Sequence, residues 1–102
     1  MELPYNLTIS EAALAEFEEA FYYYQQQQSG LENNFAEIIN TSFVSISTNP
    51  FSYQKVLKAI RQYVVKQYPF VIHYKIDETK KDVLVLSVFH TASNPKEWKR
   101  RI

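Results

Sequence analysis

The sequence predicts an α+β domain, a helical hairpin packed on a small, mostly antiparallel sheet, and three observations predict it. Apolar residues alternate with polar ones near the start and again in the second half, the residues between recur at helical spacing, and the single glycine, Gly30, splits the helical stretch in two. The expected order is β-α-α-β-β-β with a short C-terminal helix. At 102 residues, one domain spanning 1–102 is the natural organisation.

Leu3 to Ile9 reads as a strand, because Leu3, Tyr5, Leu7 and Ile9 alternate with Pro4, Asn6 and Thr8. From Ser10 the period lengthens: Ala13, Phe17, Ala20, Phe21 and Tyr24 form a helical stripe, with Glu11, Glu16, Glu18 and Glu19 mostly on other faces. Ser10 or Thr8 can cap this helix, the latter with Glu11 three residues on. Gly30 ends it, and Ser29 with Glu32 offers a capping box for the next. Leu31, Phe35, Ile38, Ile39, Ser42, Phe43 and Ile46 supply the second stripe, which Asn49 and Pro50 terminate. So short a turn makes the helices antiparallel.

Beyond Pro50 the spacing predicts strands over Lys58 to Val65, Phe70 to Ile76 and Val83 to Phe89, with Asp77 to Asp82 as a polar turn. The last strand is apolar on both faces, as an interior strand should be. His73 falls on the polar face of its strand and is expected at the surface. Lys96 to Arg101 can form a short helix with Pro95 near its first position.

Composition excludes several chemistries. One glycine cannot build a phosphate-cradling loop, and the absence of Cys removes thiolate catalysis, disulfides and Cys-based zinc sites. His73 and His90 are the only histidines, so no metal site or cofactor is expected. No stretch approaches the ~20 apolar residues of a membrane span, and the first nine residues lack a signal-peptide pattern, so the expected location is the cytoplasm.

The neutral total, eleven basic against eleven acidic residues, hides a division. Residues 1–54 carry seven acids and no Lys or Arg; residues 55–102 carry eleven basic groups and four acids, so the halves stand at −7 and +7. Lys58, Arg61, Lys66, Lys75, Lys96, Lys99, Arg100 and Arg101 interleave with Tyr63, Tyr68, Tyr74 and Trp98. Cations with aromatic platforms suit single-stranded nucleic acid, and the same pattern equally describes a solvated sheet face whose aromatics lie in the core. Tyr22, Tyr23 and Tyr24 project around most of a helix, so at least one must point away from the core and could meet a partner.

Tyr68-Pro69-Phe70-Val71-Ile72-His73-Tyr74-Lys75-Ile76, then an apolar strand, then His90, Pro95, Trp98 and Arg101 in a spaced C-terminal motif, resembles the ParE/RelE superfamily of bacterial toxin–antitoxin toxins. With the early strand, the Tyr-rich first helix and Asn49-Pro50, the resemblance covers residues 5 to 101. The Pro-Phe-x-Ile-x-Tyr form is similar to the ParE branch. Ser93 stands where the family usually has Arg.

The resemblance implies a plasmid-stabilisation-like toxin that poisons a target such as DNA gyrase through Arg61, His90, Trp98 and Arg101. It also implies a cognate antitoxin, laid across the hairpin and a sheet edge, for which Tyr22, Tyr23 and Tyr24 are candidate contacts. The alternative it implies is a ribosome-dependent mRNA endonuclease using Arg61, Lys58 and His90. A third possibility, motivated by Ser93, is a toxin of reduced activity that serves mainly as the antitoxin's partner.

Overall fold

A computed structural model describes residues 4–101. Strand β1 (Asn6–Ile9) leads into helix α1 (Glu11–Gln27), which turns back through α2 (Leu31–Thr48). A single 3₁₀ turn, Pro50–Ser52, precedes β2 (Gln54–Leu57), β3 (Ile60–Val64), β4 (Phe70–Asp77) and β5 (Asp82–His90), and a short helix α3 (Lys96–Lys99) follows. The five strands form one sheet in the order β1-β5-β4-β3-β2, with β1 parallel to β5 and every other pairing antiparallel. The α+β class and the helical hairpin agree with the sequence reading. Of the first expected strand, Leu3 lies outside the described residues.

Ser10 is the cap of α1: its Oγ accepts from the Ala13 N–H at 3.1 Å. Thr8 belongs instead to β1 and donates to Asp82 across the sheet at 3.0 Å. The capping box expected from Ser29 and Glu32 does not form. Gly30 itself caps α2 without a side-chain bond, and Glu32 is turned inward and buried, with Oε1 lacking a hydrogen-bond partner. The Leu31 N–H donates to the Gln28 carbonyl, closing a turn in which Gly30 has φ 89° and ψ −13°. That is the left-handed position of a type II turn. A Cβ there would meet no atom within 4 Å, so Gly30→Ala should cost only its backbone strain, about 1 kcal/mol in urea unfolding. A much larger loss would show that the hairpin depends on more than this φ.

The stripe of α2 falls as expected, with Phe35, Ile39, Ser42 and Ile46 buried, and Ala13 and Ala20 are the buried residues of α1. They meet Phe70, Ile72, Tyr74, Val83, Val85 and Val88 from one sheet face to make the main core. A smaller cluster, Ile60, Val71, Leu86, Phe89 and Trp98, occupies the opposite face.

The strand expected over Lys58 to Val65 is present as β3, and a strand that was not expected, β2, precedes it. β2 and β3 form a hairpin whose two-residue loop is Lys58 and Ala59, and Lys58 adopts φ 51°. Hairpin loops of this length call for a positive φ, normally supplied by Gly, Asn or Asp; a Lys there gives no turn signal. β5 explains its own two-sided apolarity. His73 pairs with Ser87 but Tyr74 pairs with Val85, so Leu86 is an extra residue, a β-bulge. Before it Val83 and Val85 face the helices; after it Val88 does.

Candidate functional site

The bulge sits where β1 ends. β1 pairs with β5 only from Asp82 to Val85, so from Leu86 to His90 that side of β5 has no neighbouring strand among the described residues. Side chains satisfy the exposed backbone instead. The Leu86 carbonyl accepts from Ser10 Oγ at 3.3 Å and Arg101 Nη1 at 3.1 Å, and the Val88 N–H donates to Glu16 Oε1 at 3.0 Å. Glu16 and Arg101 are themselves paired in fork geometry, Nη1 to Oε1 at 2.9 Å and Nη2 to Oε2 at 3.2 Å. Glu16 lies three residues from Ala13 and four from Ala20, on the inward stripe of α1, which is the local signal that sets it apart from Glu18 and Glu19. Glu16→Ala would leave a half-buried guanidinium and an edge N–H without an acceptor. It should cost about 2 kcal/mol in urea unfolding, and a change under about 0.5 would show water replacing the carboxylate freely.

Beside this edge lies a cleft of about 610 Å³, walled by Glu16 to Tyr24 of α1 on one side and by Pro69, Phe70, His90, Ser93 and Glu97 on the other. The His90 ring meets Phe70 edge-on at 5.1 Å, and its Nδ1 accepts from the Ala92 N–H at 3.0 Å. Of the tyrosine trio, Tyr22 and Tyr23 are 58% and 56% exposed, as three successive helical positions require of at least one. Tyr24 packs against Phe35 and Tyr68, at 4.9 Å and 5.0 Å between ring centres. Burial, then the neighbouring phenols Tyr68 and Tyr23, hold its hydroxyl above the usual range.

The sheet's other face carries the main departure from the expected pattern. His73 is not at the surface but 1% exposed, because its supposedly polar face is roofed by Trp98, whose ring stacks on the imidazole at 3.8 Å and 16°. Nε2–H donates to Gln62 Oε1 at 3.0 Å and Nδ1 accepts from the Ser87 hydroxyl at 2.7 Å, so a neutral ring satisfies every polar atom. Burial, reinforced by the positive charge of Arg101, lowers its pKa to about 4.

Arg61, His90, Trp98 and Arg101 therefore occupy different surroundings. Trp98 is buried and Arg101 is engaged with Glu16. Arg61 donates to the carbonyls of Tyr53 at 2.7 Å and Phe51 at 3.2 Å and lies over the Phe51 ring, fastening the 3₁₀ turn to β3. Lys58 is exposed at the tip of the β2–β3 hairpin. Arg61 is level with Tyr74 on β4, whereas His90 is level with Phe70 and on the far side of β4. Two strand spacings and four residues of rise put their backbones roughly 16 Å apart. Arg61, Lys58 and His90 do not share one site.

Of the aromatic platforms, Tyr74 and Trp98 are buried, whereas Tyr63 and Tyr68 are partly buried against the core. Tyr74 is fully buried, and its hydroxyl, pushed up to about 12 mainly by burial, donates to the Pro50 carbonyl at 2.6 Å. Tyr68 donates to Asn34 at 2.6 Å. Among the described residues no group of three or more His, Asp or Glu is placed to hold a metal ion, and no helix is long and apolar enough to cross a membrane.

No curated protein sequence matches the chain. Similar solved structures include the chromosomal ParDE toxin–antitoxin system of P. aeruginosa, at 13% identity and TM-score 0.71 over 84% of this chain and 95% of that one. The free state of a double mutant of the E. coli toxin RelE aligns at 17% identity and TM-score 0.68, over 98% and 99% of the two chains. The RelBE2 toxin–antitoxin complex of Mycobacterium tuberculosis aligns at 18% identity and TM-score 0.63, over 91% and 98%. Identities this low establish a common fold. The family model described as ParE toxin of type II toxin–antitoxin system, parDE, matches residues 7–95, from the first strand to the proline that opens the terminal turn. The chain thus belongs to the ParE toxin family of type II toxin–antitoxin systems.

Proposed function

We propose that the protein is a non-enzymatic toxin that binds and poisons DNA gyrase and is neutralised by a cognate antitoxin seated on the helical hairpin. The match to the ParE family model over residues 7–95 carries this reading. The geometry supports it: the three groups required of an RNase, Arg61, Lys58 and His90, do not converge, and Arg61 is committed to backbone carbonyls. An endonuclease needs a base and a cation at one phosphate. Trp98 and Arg101 would then act on the target indirectly. They anchor the terminal segment whose Lys96, Lys99 and Arg100 are exposed beside them, whereas His90 opens directly on the cleft.

For the antitoxin, the exposed Tyr22 and Tyr23 offer helix-in-groove contacts. Strand addition to β5 above the bulge is opposed by Glu16 and Arg101, which already hold that edge, leaving the outer edge of β2 as the better template. The deciding experiment runs gyrase supercoiling with added protein beside translation-coupled mRNA cleavage. Inhibition of supercoiling alone is expected; cleavage alone would replace this reading with the RelE-type endonuclease. Ser93→Arg is expected to leave growth inhibition on controlled expression unchanged, and a marked gain would identify a toxin of reduced activity.

A further inference from the structure

The cleft beside α1 is partly walled by the basic half of the chain, yet it is acidic. Its floor is apolar, from Ala20, Phe70 and Val88, and Tyr23 rises exposed at its rim. Glu16, Glu19 and Glu97 line it, and no Lys or Arg does. Arg101 neutralises Glu16 from behind, through the β5 edge. Glu19 and Glu97 are exposed, come from opposite walls, and have no ion pair among the described residues.

We propose that this cleft is a docking site for an apolar protein segment bearing an arginine or lysine, whose cation lies between Glu19 and Glu97. Charge complementarity selects the occupant. Two carboxylates above a low-polarity floor repel phosphates and acidic peptides and attract a cation more strongly than they would in open water. Aromatic walls favour the same group, since a guanidinium stacks on tyrosine and its aliphatic stem covers Phe70. The volume, about 610 Å³, falls within the range of small-ligand sites and leaves room for a few side chains. Because the β5 backbone is already bonded here, the occupant is read by its side chains and not as an added strand. That the segment belongs to the cognate antitoxin rests on the toxin reading above; the preference for a cation does not.

The test is a titration of the isotope-labelled chain, followed by backbone amide NMR shifts. The probes are two capped peptides, acetyl-Ala-Leu-Arg-Leu-Ala-amide and its counterpart with Glu in place of Arg. The Arg peptide is expected to bind at least tenfold more tightly, to shift Tyr23, Tyr24 and His90, and to weaken as salt rises. Glu19→Lys combined with Glu97→Lys should abolish or reverse the preference. Ser93→Arg, which supplies a guanidinium from within the cleft, should abolish it too. Equal binding of the two peptides, preference for Glu, shifts elsewhere or no binding would overturn the proposal. So would cleft shifts that track protein concentration without peptide, which would identify a second copy as the occupant. If the Arg preference holds but the product of an adjoining reading frame neither binds the chain nor relieves growth inhibition, the toxin reading fails and the cleft assignment stands.

Discussion

Phe35→Ala is expected to remove about 3–5 kcal/mol of unfolding free energy, a large part of the roughly 5–15 that holds a domain together. Phe35 is fully buried and lies where three parts of the molecule meet. Its ring stacks on Phe17 of α1 at 5.7 Å, tilts against Tyr24 at 4.9 Å and Phe70 of β4 at 5.4 Å, and receives the edge of Tyr68 at 5.1 Å. Truncation opens a cavity that relaxation closes only in part, because the neighbouring rings have further contacts of their own, Phe17 with Phe21, Tyr24 with Tyr68 and Phe70 with His90. Urea unfolding should show a lower midpoint with an unchanged slope. Val44→Ala, at a position 57% exposed on the same helix, should lie within about 0.5 kcal/mol of the parent. Comparable losses at both sites would mean that the hairpin and sheet are not joined through this ring.

The second large effect is acid sensitivity centred on His73. Its pKa is about 4 in the folded protein and near 6.5 in the unfolded chain, so between these values the unfolded state binds the additional proton. The group therefore leaves stability intact above about pH 6.5 and withdraws it as pH falls towards 4. The full loss is about 3 kcal/mol at 1.36 kcal/mol per unit. Melts at pH 7, 6, 5 and 4 should show the decline in the parent. His73→Gln, which cannot titrate, should be less stable at pH 7 yet flatter over this range. A parallel decline in the variant would assign the effect to other groups. Because Trp98 stacks on this imidazole, Trp fluorescence should change over the same interval.

The helices were legible because each carries its own stripe and Gly30 punctuates them, and β4 because Phe70, Ile72 and Tyr74 alternate cleanly. β2 was not, since Gln54 to Leu57 is too short to show a period and its turn lacks the residues that usually announce one. His73 illustrates a different limit. Alternation separates the two faces of a strand but does not tell what lies over them, and the cover here is Trp98, twenty-five positions away. The bulge at Leu86 left only a strand apolar on both faces, interrupted at Ser87, as its trace. The C-terminal motif was recognised from spacing, whereas the structure gives Trp98 and Arg101 packing and ion-pair duties, visible only once α3 is folded onto the sheet. The cleft joins Glu19 to Glu97, a conjunction that no local pattern encodes.

The clasp between Glu16 and Arg101 joins residues 85 positions apart, and β1 finds its partner only in β5. During synthesis the helical hairpin can form from local contacts as soon as residue 48 has emerged, while β1 and the inner edge of α1 must wait for nearly all the rest. Activity that depends on the finished sheet would therefore switch on late, after most of the polypeptide has been made. The hairpin surface bearing Tyr22 and Tyr23 would be available well before then, and an antitoxin that docks there as proposed would gain a head start measured in translation time.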